Sequence, residues 1–257
     1  MTPATDVPDG AGADDGAVFR LAYVPGVLPA KWVRAFGERR PGVEVELVAC
    51  PAAEAGALVT SGEVDAAVAR PAADEPELAV IGLYREVPVV VVPKDHLLTA
   101  ADELVCADLA DQQYLLPLDD VLAWRDRPGT QIDHRPETTA DAVELVAAGL
   151  GVLVVPMSLA RLHHRRDLTY RPLADGPVAP VGLLWREPTG DLMEEFIGVV
   201  RGRRPGSSRG QNQPTPKRSA KEKAAARRAA KEAAGTIPAR STRQNRQPRK
   251  GRRPRKP

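Results

Sequence analysis

The chain has few cysteines, no long apolar run and no export signal at its N-terminus. Its 257 residues include only two cysteines, Cys50 and Cys106, whose spacing forms neither a metal-ligand pattern nor a disulfide framework. The sequence contains no stretch of about 18 uninterrupted apolar residues, which excludes a membrane-spanning helix. Residues 1–17 are small and acidic and hold no basic residue ahead of an apolar segment. We therefore expect no signal peptide and a reducing, cytoplasmic location.

Catalytic motifs are also absent from the sequence. It contains no G-x-S-x-G, no H-E-x-x-H and no Cys–His pair at a known catalytic spacing. The neighbours His163 and His164 are flanked by Arg161, Arg165 and Arg166, which would repel a metal cation. Adjacent residues on a helix also point about 100° apart. We interpret this histidine pair as solvated surface, and we expect no enzyme, no metal and no cofactor.

The small net charge of the chain conceals two segments of opposite charge. Residues 1–200 contain 16 Lys+Arg and 32 Asp+Glu, a net charge of −16. Residues 201–257 contain 20 basic and two acidic residues, a net charge of +18, which leaves +2 for the whole chain. This asymmetry indicates an acidic globular body that carries a basic arm suited to a polyanion.

Strand and helix patterns alternate along the body in two runs. The first run predicts strands at Val18–Val24, Val43–Val48 and Val64–Ala69, a helix after Pro29 with Leu28, Trp32, Val33 and Phe36 on one face, and a helix at Ala52–Ser61 that ends at Gly62. The second run predicts strands at Val87–Val92, with Pro88 at its start or on an edge, and at Gln113–Leu116, Gly151–Val155, Leu168–Leu173 and Val178–Trp185. It also predicts helices after Thr138 or Thr139, after Pro156 and over Asp191–Val200. In the first of these helices, Thr138-x-x-Asp141 fits a capping box, and Ala142, Val143, Val146 and Leu150 share a face. This order, with short connections, predicts right-handed βαβ units and a parallel sheet in an α/β fold.

Five segments of the chain, in this order, resemble one known family. They are FRLAYVPGVLPAKWVRAFGERRPGVEVEL, LVTSGEVDAAVA, VVVVPKDHLL, ADLADQQYLLP and AVELVAAGLGVLVVP. Within them, the turn at 61–65 is similar to the family's G-x-L-D, and 146–156 is similar to its V-x-x-G-x-G-V…P. These segments resemble the effector-binding domain of LysR-type transcriptional regulators, which is a two-lobed fold similar to the type 2 periplasmic binding proteins.

The resemblance implies a domain organisation. We expect a LysR-like substrate-binding domain over 18–201, with lobe I at about 18–85 and 168–201 and lobe II at about 92–162. A disordered acidic segment would precede it at 1–17, and a disordered basic tail would follow it at 202–257. The family's helix-turn-helix has no counterpart in the 17 residues before the first strand. Domains of this family commonly pair side by side, so a homodimer is expected.

The candidate ligand site lies where the strands end. In open α/β sheets, ligands bind beyond the carboxyl ends of the strands, where helix N-termini favour anions. Since the family's usual effectors are small organic acids, we expect a small organic acid or another small anion. The residues expected to bind it come from four loops; they are Pro25, Gly26, Val27, Ala52, Arg70, Thr138 and Thr139.

Other interpretations of this site remain open. Thr138 could serve only as a helix N-cap, Arg70 could be a solvated loop residue, and Gly26 could serve only a tight turn. The family often places Ser or Thr hydroxyls after its first two strands, where this chain has Val27 and Ala52. That departure supports an alternative function, in which a degenerate, ligand-free domain acts as a protein-interaction module.

The basic arm is expected to bind nucleic acid. Residues 202–257 contain no aromatic residue and a single branched aliphatic, Ile237, so they cannot form a core. Gly-Arg-Arg-Pro occurs at 202–205 and again at 251–254, and is similar to the AT-hook core Arg-Gly-Arg-Pro. Sequence-independent attraction to phosphates and folding back onto the acidic body are the two alternatives. The expected nucleic-acid-binding residues are Arg203, Arg204, Lys217, Arg218, Arg227, Arg228, Arg249, Lys250, Arg252, Arg253, Arg255 and Lys256.

Overall fold

The structure of the protein is a computed structural model that describes residues 16–71 and 77–203. In chain order, its strands and helices are β1 (Ala17–Tyr23), α1 (Ala30–Arg39), β2 (Val43–Ala49), α2 (Ala55–Ser61), β3 (Ala66–Ala69), β4 (Leu78–Glu86), β5 (Pro88–Pro93), β6 (Gln113–Leu115), β7 (Thr130–Gln131), α3 (Thr139–Ala147), β8 (Val152–Pro156), α4 (Met157–Leu162), β9 (Leu168–Pro172), β10 (Ala179–Arg186) and α5 (Asp191–Val200). Short 3₁₀ turns occur at Leu97–Ala100 and Cys106–Leu109. The α/β class predicted from the sequence is confirmed.

The first lobe is built on a five-stranded sheet in the order β2-β1-β3-β10-β4. β1 pairs in parallel with β2 and with β3, as the predicted βαβ units require. The sheet is nevertheless mixed, because β10 runs antiparallel to both β3 and β4. The sequence did not predict β4, whose exposed face carries the apolar side chains of Val80 and Tyr84. Its apolar–polar alternation is therefore weak.

The second lobe is built on another five-stranded sheet, in the order β7-β6-β8-β5-β9. β6 is parallel to β7 and β8, whereas β5 is antiparallel to its two neighbours, β8 and β9. β5 starts at Pro88, as predicted, and Val89–Val92 are buried on both faces. The lobe boundary expected at 168 is wrong, because Leu168–Pro172 pairs with β5 in the second sheet. The chain returns to the first lobe only after β9.

The core of the first lobe centres on three phenylalanines, from β1, α1 and α5. The ring centroid of Phe19 lies 5.2 Å from that of Phe36 and 4.9 Å from that of Phe196, and all three side chains are fully buried. Aromatic rings at such separations add stabilisation beyond the area that they bury. This cluster packs α1 and α5 against the sheet that carries the loops of the cleft.

Three local predictions differ from the structure at the ends of elements. α2 begins at Ala55 rather than Ala52, because residues 52–54 form a turn. Leu28 lies ahead of α1 and is 80% exposed, so it does not share the buried face of that helix. Leu150 lies beyond the end of α3 and is exposed. The first two departures place residues 52–54 and Leu28 in the loops at the carboxyl ends of β2 and β1.

The predicted terminal segments lie almost entirely outside the described residues. β1 begins at Ala17, and the chain after α5 is ordered at least to Arg203, whose main-chain N–H donates to the carbonyl of Gly198 at 2.9 Å. The expected tail boundary at 202 is therefore too early. Within 16–71 and 77–203, no helix has the length and apolar character needed to cross a bilayer.

Candidate effector-binding cleft

The two lobes are joined by two short crossovers and meet at a cleft. One crossover is Val87, between β4 and β5, and the other is the segment 173–178, between β9 and β10. The loops after β1, β2 and β3 face the cleft from the first lobe, and the residues that follow β6 and β8 face it from the second. This arrangement agrees with the general position of ligand sites at the carboxyl ends of strands.

Two adjoining cavities occupy the cleft. The larger cavity has a volume of about 670 Å³ and is lined by Tyr23, Pro25, Gly26, Val27, Leu28, Ala49, Cys50, Pro51, Ser158, Arg161 and Leu162. The smaller cavity has a volume of about 410 Å³ and is lined by Pro25, Pro51, Ala52, Arg70, Asp119, Val121, Thr138, Thr139, Ala140, Leu159, Leu162 and His163. Each is large enough for a small metabolite.

The residues predicted to bind a ligand all line these cavities, although that role itself stays a prediction. Gly26 and Val27 line the larger cavity, Pro25 lines both, and the other four, Ala52, Arg70, Thr138 and Thr139, line the smaller one. The sequence did not predict that α4 contributes to the walls of both cavities. The signal was available, because α4 follows the carboxyl end of β8 as the other site loops follow their strands. His163, which directly follows α4, is half-buried and lines the smaller cavity. The expectation that both histidines are solvated is therefore met only by His164, which is exposed.

Arg70 is buried and links the two lobes. Its Nε and Nη2 donate to Oε2 of Glu86 at 3.0 Å and 2.7 Å. Nη1 donates to the carbonyl of Pro25 at 3.1 Å, and Nη2 also donates to Oγ of Ser158 on α4 at 3.0 Å. The side chains of Arg70 and Glu86 are 5% and 7% exposed. The interpretation of Arg70 as a solvated loop residue is therefore wrong.

Gly26 forms a tight turn and a close contact between the lobes. Its φ is +81°, a conformation that residues with a Cβ rarely adopt. A Cβ at this position would lie 2.6 Å from Oγ of Ser158 and 3.2 Å from its main-chain carbon. Glycine thus lets the loop after β1 approach the start of α4, and this approach forms one wall of the larger cavity.

The two threonines at the start of α3 have different partners. Thr138 forms the predicted capping box: its Oγ1 accepts from the main-chain N–H of Asp141 at 3.1 Å, and Oδ2 of Asp141 accepts from the N–H of Thr138 at 3.1 Å. The hydroxyl of Thr138 also donates to Oδ2 of Asp141 at 2.7 Å. The hydroxyl of Thr139, which is buried, donates to Oδ1 of Asp119 at 2.9 Å.

Cys50 lines the larger cavity, while Cys106 lies in the other lobe, and both thiols are free. Burial raises the pKa of the Cys50 thiol, to which the negative charge of Glu54 adds. Burial also raises the pKa of Cys106 to about 11, with a further contribution from its hydrogen bond to Asp175. Across the described ranges, no group of three or more His, Cys, Asp or Glu side chains could hold a metal ion.

Of the expected nucleic-acid-binding residues, only Arg203 belongs to the described part of the chain. Its carbonyl oxygen accepts a hydrogen bond from Nη2 of Arg39, so its main chain belongs to the folded lobe. The other eleven lie outside the described residues, and their role stays a prediction.

The chain is similar to known regulators along most of its length. A probable hydrogen peroxide-inducible genes activator of Mycobacterium avium is 28% identical over 209 residues, which cover 74% of this chain and 67% of that protein. The Hca operon transcriptional activator HcaR of Escherichia coli K12 is 29% identical over 195 residues, which cover 70% of this chain and 63% of HcaR. The chain thus spans about two thirds of the length of these relatives.

Solved structures and a family model agree with this similarity. The BenM effector binding domain with its effector benzoate superposes with a TM-score of 0.60 at 21% identity, over 73% of this chain and 91% of that one. At this level of identity, the likeness shows the fold. The family model described as the LysR substrate binding domain matches residues 18–204. The chain therefore belongs to the LysR substrate-binding-domain family, as its sequence motifs predict.

Proposed function

We propose that this protein is a non-enzymatic sensor of a small molecule, which binds in the cleft between the lobes and is coupled to the regulation of transcription. The observation that carries the proposal is the pair of cavities whose walls come from both lobes. A ligand that contacts both walls stabilises one relative position of the lobes, and such a shift is how a binding event reaches a distant site. Family membership supports the same role.

The side chains of the cleft fit this role. The loop after β1 contacts α4 through Gly26, and Arg70 joins Pro25 and Glu86 of the first lobe to Ser158 of the second. Through Glu86, the immediate neighbour of Val87, these hydrogen bonds connect the cleft to the first crossover. The chemical class of the effector stays open at this level: the family resemblance favours a small organic acid, and the effector named for BenM is a carboxylate.

A thermal-shift screen of the full chain tests the cleft. The panel consists of small carboxylates, phosphates, amines and alcohols. A ligand at 100 times its dissociation constant adds about 2.7 kcal/mol to the free energy of unfolding, which raises the melting temperature by several degrees. Ala52→Trp fills the smaller cavity and should abolish the response. Ala101→Trp, at an exposed position outside both cavities, is the matched control and should keep it.

We also propose that the basic arm holds the protein on nucleic acid. With a net charge of +18 over 201–257 beside a body of −16, the arm carries the charge needed to displace counterions from phosphates. Binding of this kind weakens steeply as the salt concentration rises. We infer a cytoplasmic protein that pairs as a homodimer, as members of the family do.

Removal of the arm tests this second part. A chain that ends at Arg203 should lose binding to labelled duplex DNA and to RNA, as measured by fluorescence anisotropy at two salt concentrations. It should keep the melting temperature and the ligand response of the full chain. Retention of nucleic acid by the shortened chain would show that the arm is not the anchor.

Two other functions are weaker. A ligand-free interaction module is favoured by the alanine and valine at Ala52 and Val27, and a flat response across the panel would support it. Peroxide sensing through cysteine, considered because the mycobacterial relative is named a probable hydrogen peroxide-inducible genes activator, finds no support in the thiols. Cys50 and Cys106 lie in different lobes, and burial raises the pKa of both. A reactive cysteine needs a lowered pKa.

A further inference from the structure

The polar groups that line the smaller cavity determine the charge of the ligand that it accepts. The cavity is lined by five polar side chains and otherwise by proline and aliphatic groups. Its polar members are Arg70, Asp119, Thr138, Thr139 and His163. A carboxylate needs free hydrogen-bond donors or an uncompensated positive charge, whereas an ammonium group needs free acceptors.

The strongest donor in the cavity is already engaged. Arg70 donates two hydrogen bonds to Glu86, one to Pro25 and one to Ser158. The carboxylate of Glu86 neutralises the positive charge of Arg70, with Oε2 of the glutamate 2.7 Å from Nη2 of the arginine. Less than a tenth of either side chain is exposed. Turning Arg70 towards an anion would leave Glu86 buried without its partner, which is strongly unfavourable.

The two threonine hydroxyls are engaged as well. A hydroxyl has one proton to donate. The hydroxyl of Thr138 donates its proton to the carboxylate of Asp141, and the hydroxyl of Thr139 donates its proton to the carboxylate of Asp119. The N–H groups of the first turn of α3 remain, but the carboxylates of Asp119 and Asp141 lie beside them and oppose the approach of an anion. The imidazole of His163 also lines the cavity, and since an imidazole can accept as well as donate, it serves an amine as readily as an anion.

The acceptors of this cavity, by contrast, are free to take a donor. Among the described residues, Oδ1 of Asp119 accepts from Thr139, and its other carboxylate oxygen has no hydrogen-bond partner. Asp119 forms no ion pair with any described lysine or arginine, and it is exposed to the cavity and the solvent. Its negative charge is therefore uncompensated.

We propose that the smaller cavity binds the ammonium group of a small apolar amine at Asp119, and that it discriminates against a carboxylate. This inference rests on the proposed function, because it names the class of effector for the same cleft, and it reverses the charge expected from the sequence. The apolar part of the amine packs against the aliphatic wall, which includes Val121, Leu159 and Leu162. From there it extends towards the larger cavity, with which the smaller one shares Pro25, Pro51 and Leu162.

Four probes with six-carbon chains separate charge from size. They are 1-hexylamine, hexan-1-ol, hexanoate and 6-aminohexanoate, each titrated into the full chain at constant ionic strength and followed by isothermal titration calorimetry and thermal shift. We expect hexylamine to bind at least about tenfold more tightly than hexanoate, a difference typical of a charge-assisted hydrogen bond. 6-Aminohexanoate should bind as well, since the basic residue Arg161 lines the larger cavity.

Asp119→Asn is the decisive variant, because the amide oxygen still accepts from Thr139 while the charge is lost. It should weaken hexylamine about tenfold and leave hexan-1-ol unchanged. Asp111→Asn removes an exposed carboxylate outside both cavities and should leave every probe unchanged. Tighter binding of hexanoate than of hexylamine, or hexylamine binding that survives Asp119→Asn, would overturn the amine assignment and leave the sensor function standing. If none of the four probes binds, the amine assignment fails, and a flat response to the wider panel would then reject the sensor function as well.

Discussion

Arg70 and Glu86 form a buried ion pair at the point where the chain first crosses between the lobes, with Nη2 of the arginine 2.7 Å from Oε2 of the glutamate. Glu86 is the last residue of β4 and lies two positions before Pro88, where β5 begins. The same guanidinium holds Ser158 of the second lobe. The pair therefore lies at the first crossover as well as at the wall of the cleft.

Removing one partner of this pair should be costly. Arg70→Ala leaves the carboxylate of Glu86 buried without a counter-charge, and we expect it to lower the free energy of unfolding by about 3 kcal/mol or more. The double variant Arg70→Met/Glu86→Leu leaves no such charge and should recover much of that loss. Urea denaturation followed by tryptophan fluorescence measures both variants.

An exposed ion pair provides the control for this prediction. Arg34 and Glu38 on α1 are four residues apart, and their side chains are 85% and 67% exposed. Arg34→Ala should cost no more than about 0.5 kcal/mol. Equal losses from the buried and the exposed arginine would contradict the role that we give to Arg70.

Gly26 and Gly37 should respond to alanine in opposite directions. Gly26→Ala places a Cβ against Ser158 and forces a left-handed backbone on alanine, so it should destabilise the protein by about 1–3 kcal/mol. Gly37 lies in the interior of α1, and a Cβ there meets no atom within 4 Å. Gly37→Ala should therefore stabilise the protein by about 0.5–1 kcal/mol. Melting temperatures of the two variants provide the comparison, and a loss at both positions would contradict it.

The sequence placed the loops of the cleft better than it placed the edges of the sheets. The loops after β1, β2 and β3 could be placed because each parallel strand has strong apolar content and ends at a glycine, proline or alanine turn. β4 was missed because its apolar residues lie on both faces, which removes the period of two. The assignment of β9 to the wrong lobe has a different cause: a strand pattern does not state which sheet the strand joins.

The contacts of side chains across the cleft could not be predicted from the sequence either. The partners of Arg70 are 45, 16 and 88 positions away along the chain. Only the folded arrangement brings them together, so the choice between a solvated and an engaged arginine was open. Thr138 and Asp141, in contrast, are three positions apart, and their capping box follows from a local spacing that the sequence displays directly.

The capping box gives a prediction that separates the two roles of the threonine pair. Thr138→Ala removes the acceptor for the N–H of Asp141 and should cost about 1 kcal/mol of stability, whereas Thr138→Ser keeps the acceptor and should cost less than half of that. Because Thr138 donates to Asp141 and not to the cavity, neither change should alter the affinity for hexylamine by more than about twofold. Urea denaturation and calorimetry on the same samples measure the two effects. A loss of affinity in both variants would place Thr138 among the ligand contacts.

The two thiols should be slow to react, with a pH dependence that identifies the cause. Burial and Asp175 raise the pKa of Cys106 from its ordinary value of 9.0 to about 11, so at pH 8 its thiolate fraction is about a hundredfold lower than that of a solvated cysteine. Alkylation by iodoacetamide should therefore be slow in the native protein and should accelerate with rising pH until about pH 11. In the protein unfolded by urea, the alkylation rate should level off near pH 9, because the thiol there has its ordinary pKa.

The same shift has a consequence for stability, and its sign follows from linkage. The folded state holds the proton of Cys106 to a higher pH than the unfolded state does. Its contribution to stability is therefore complete below pH 9 and is lost as the pH rises towards 11. In Cys106→Ser this part of the pH dependence should be missing, while Cys50→Ser should keep it. A native protein whose thiols react at pH 7 as fast as those of the unfolded chain would contradict the raised pKa of the thiols and would reopen peroxide sensing as a function.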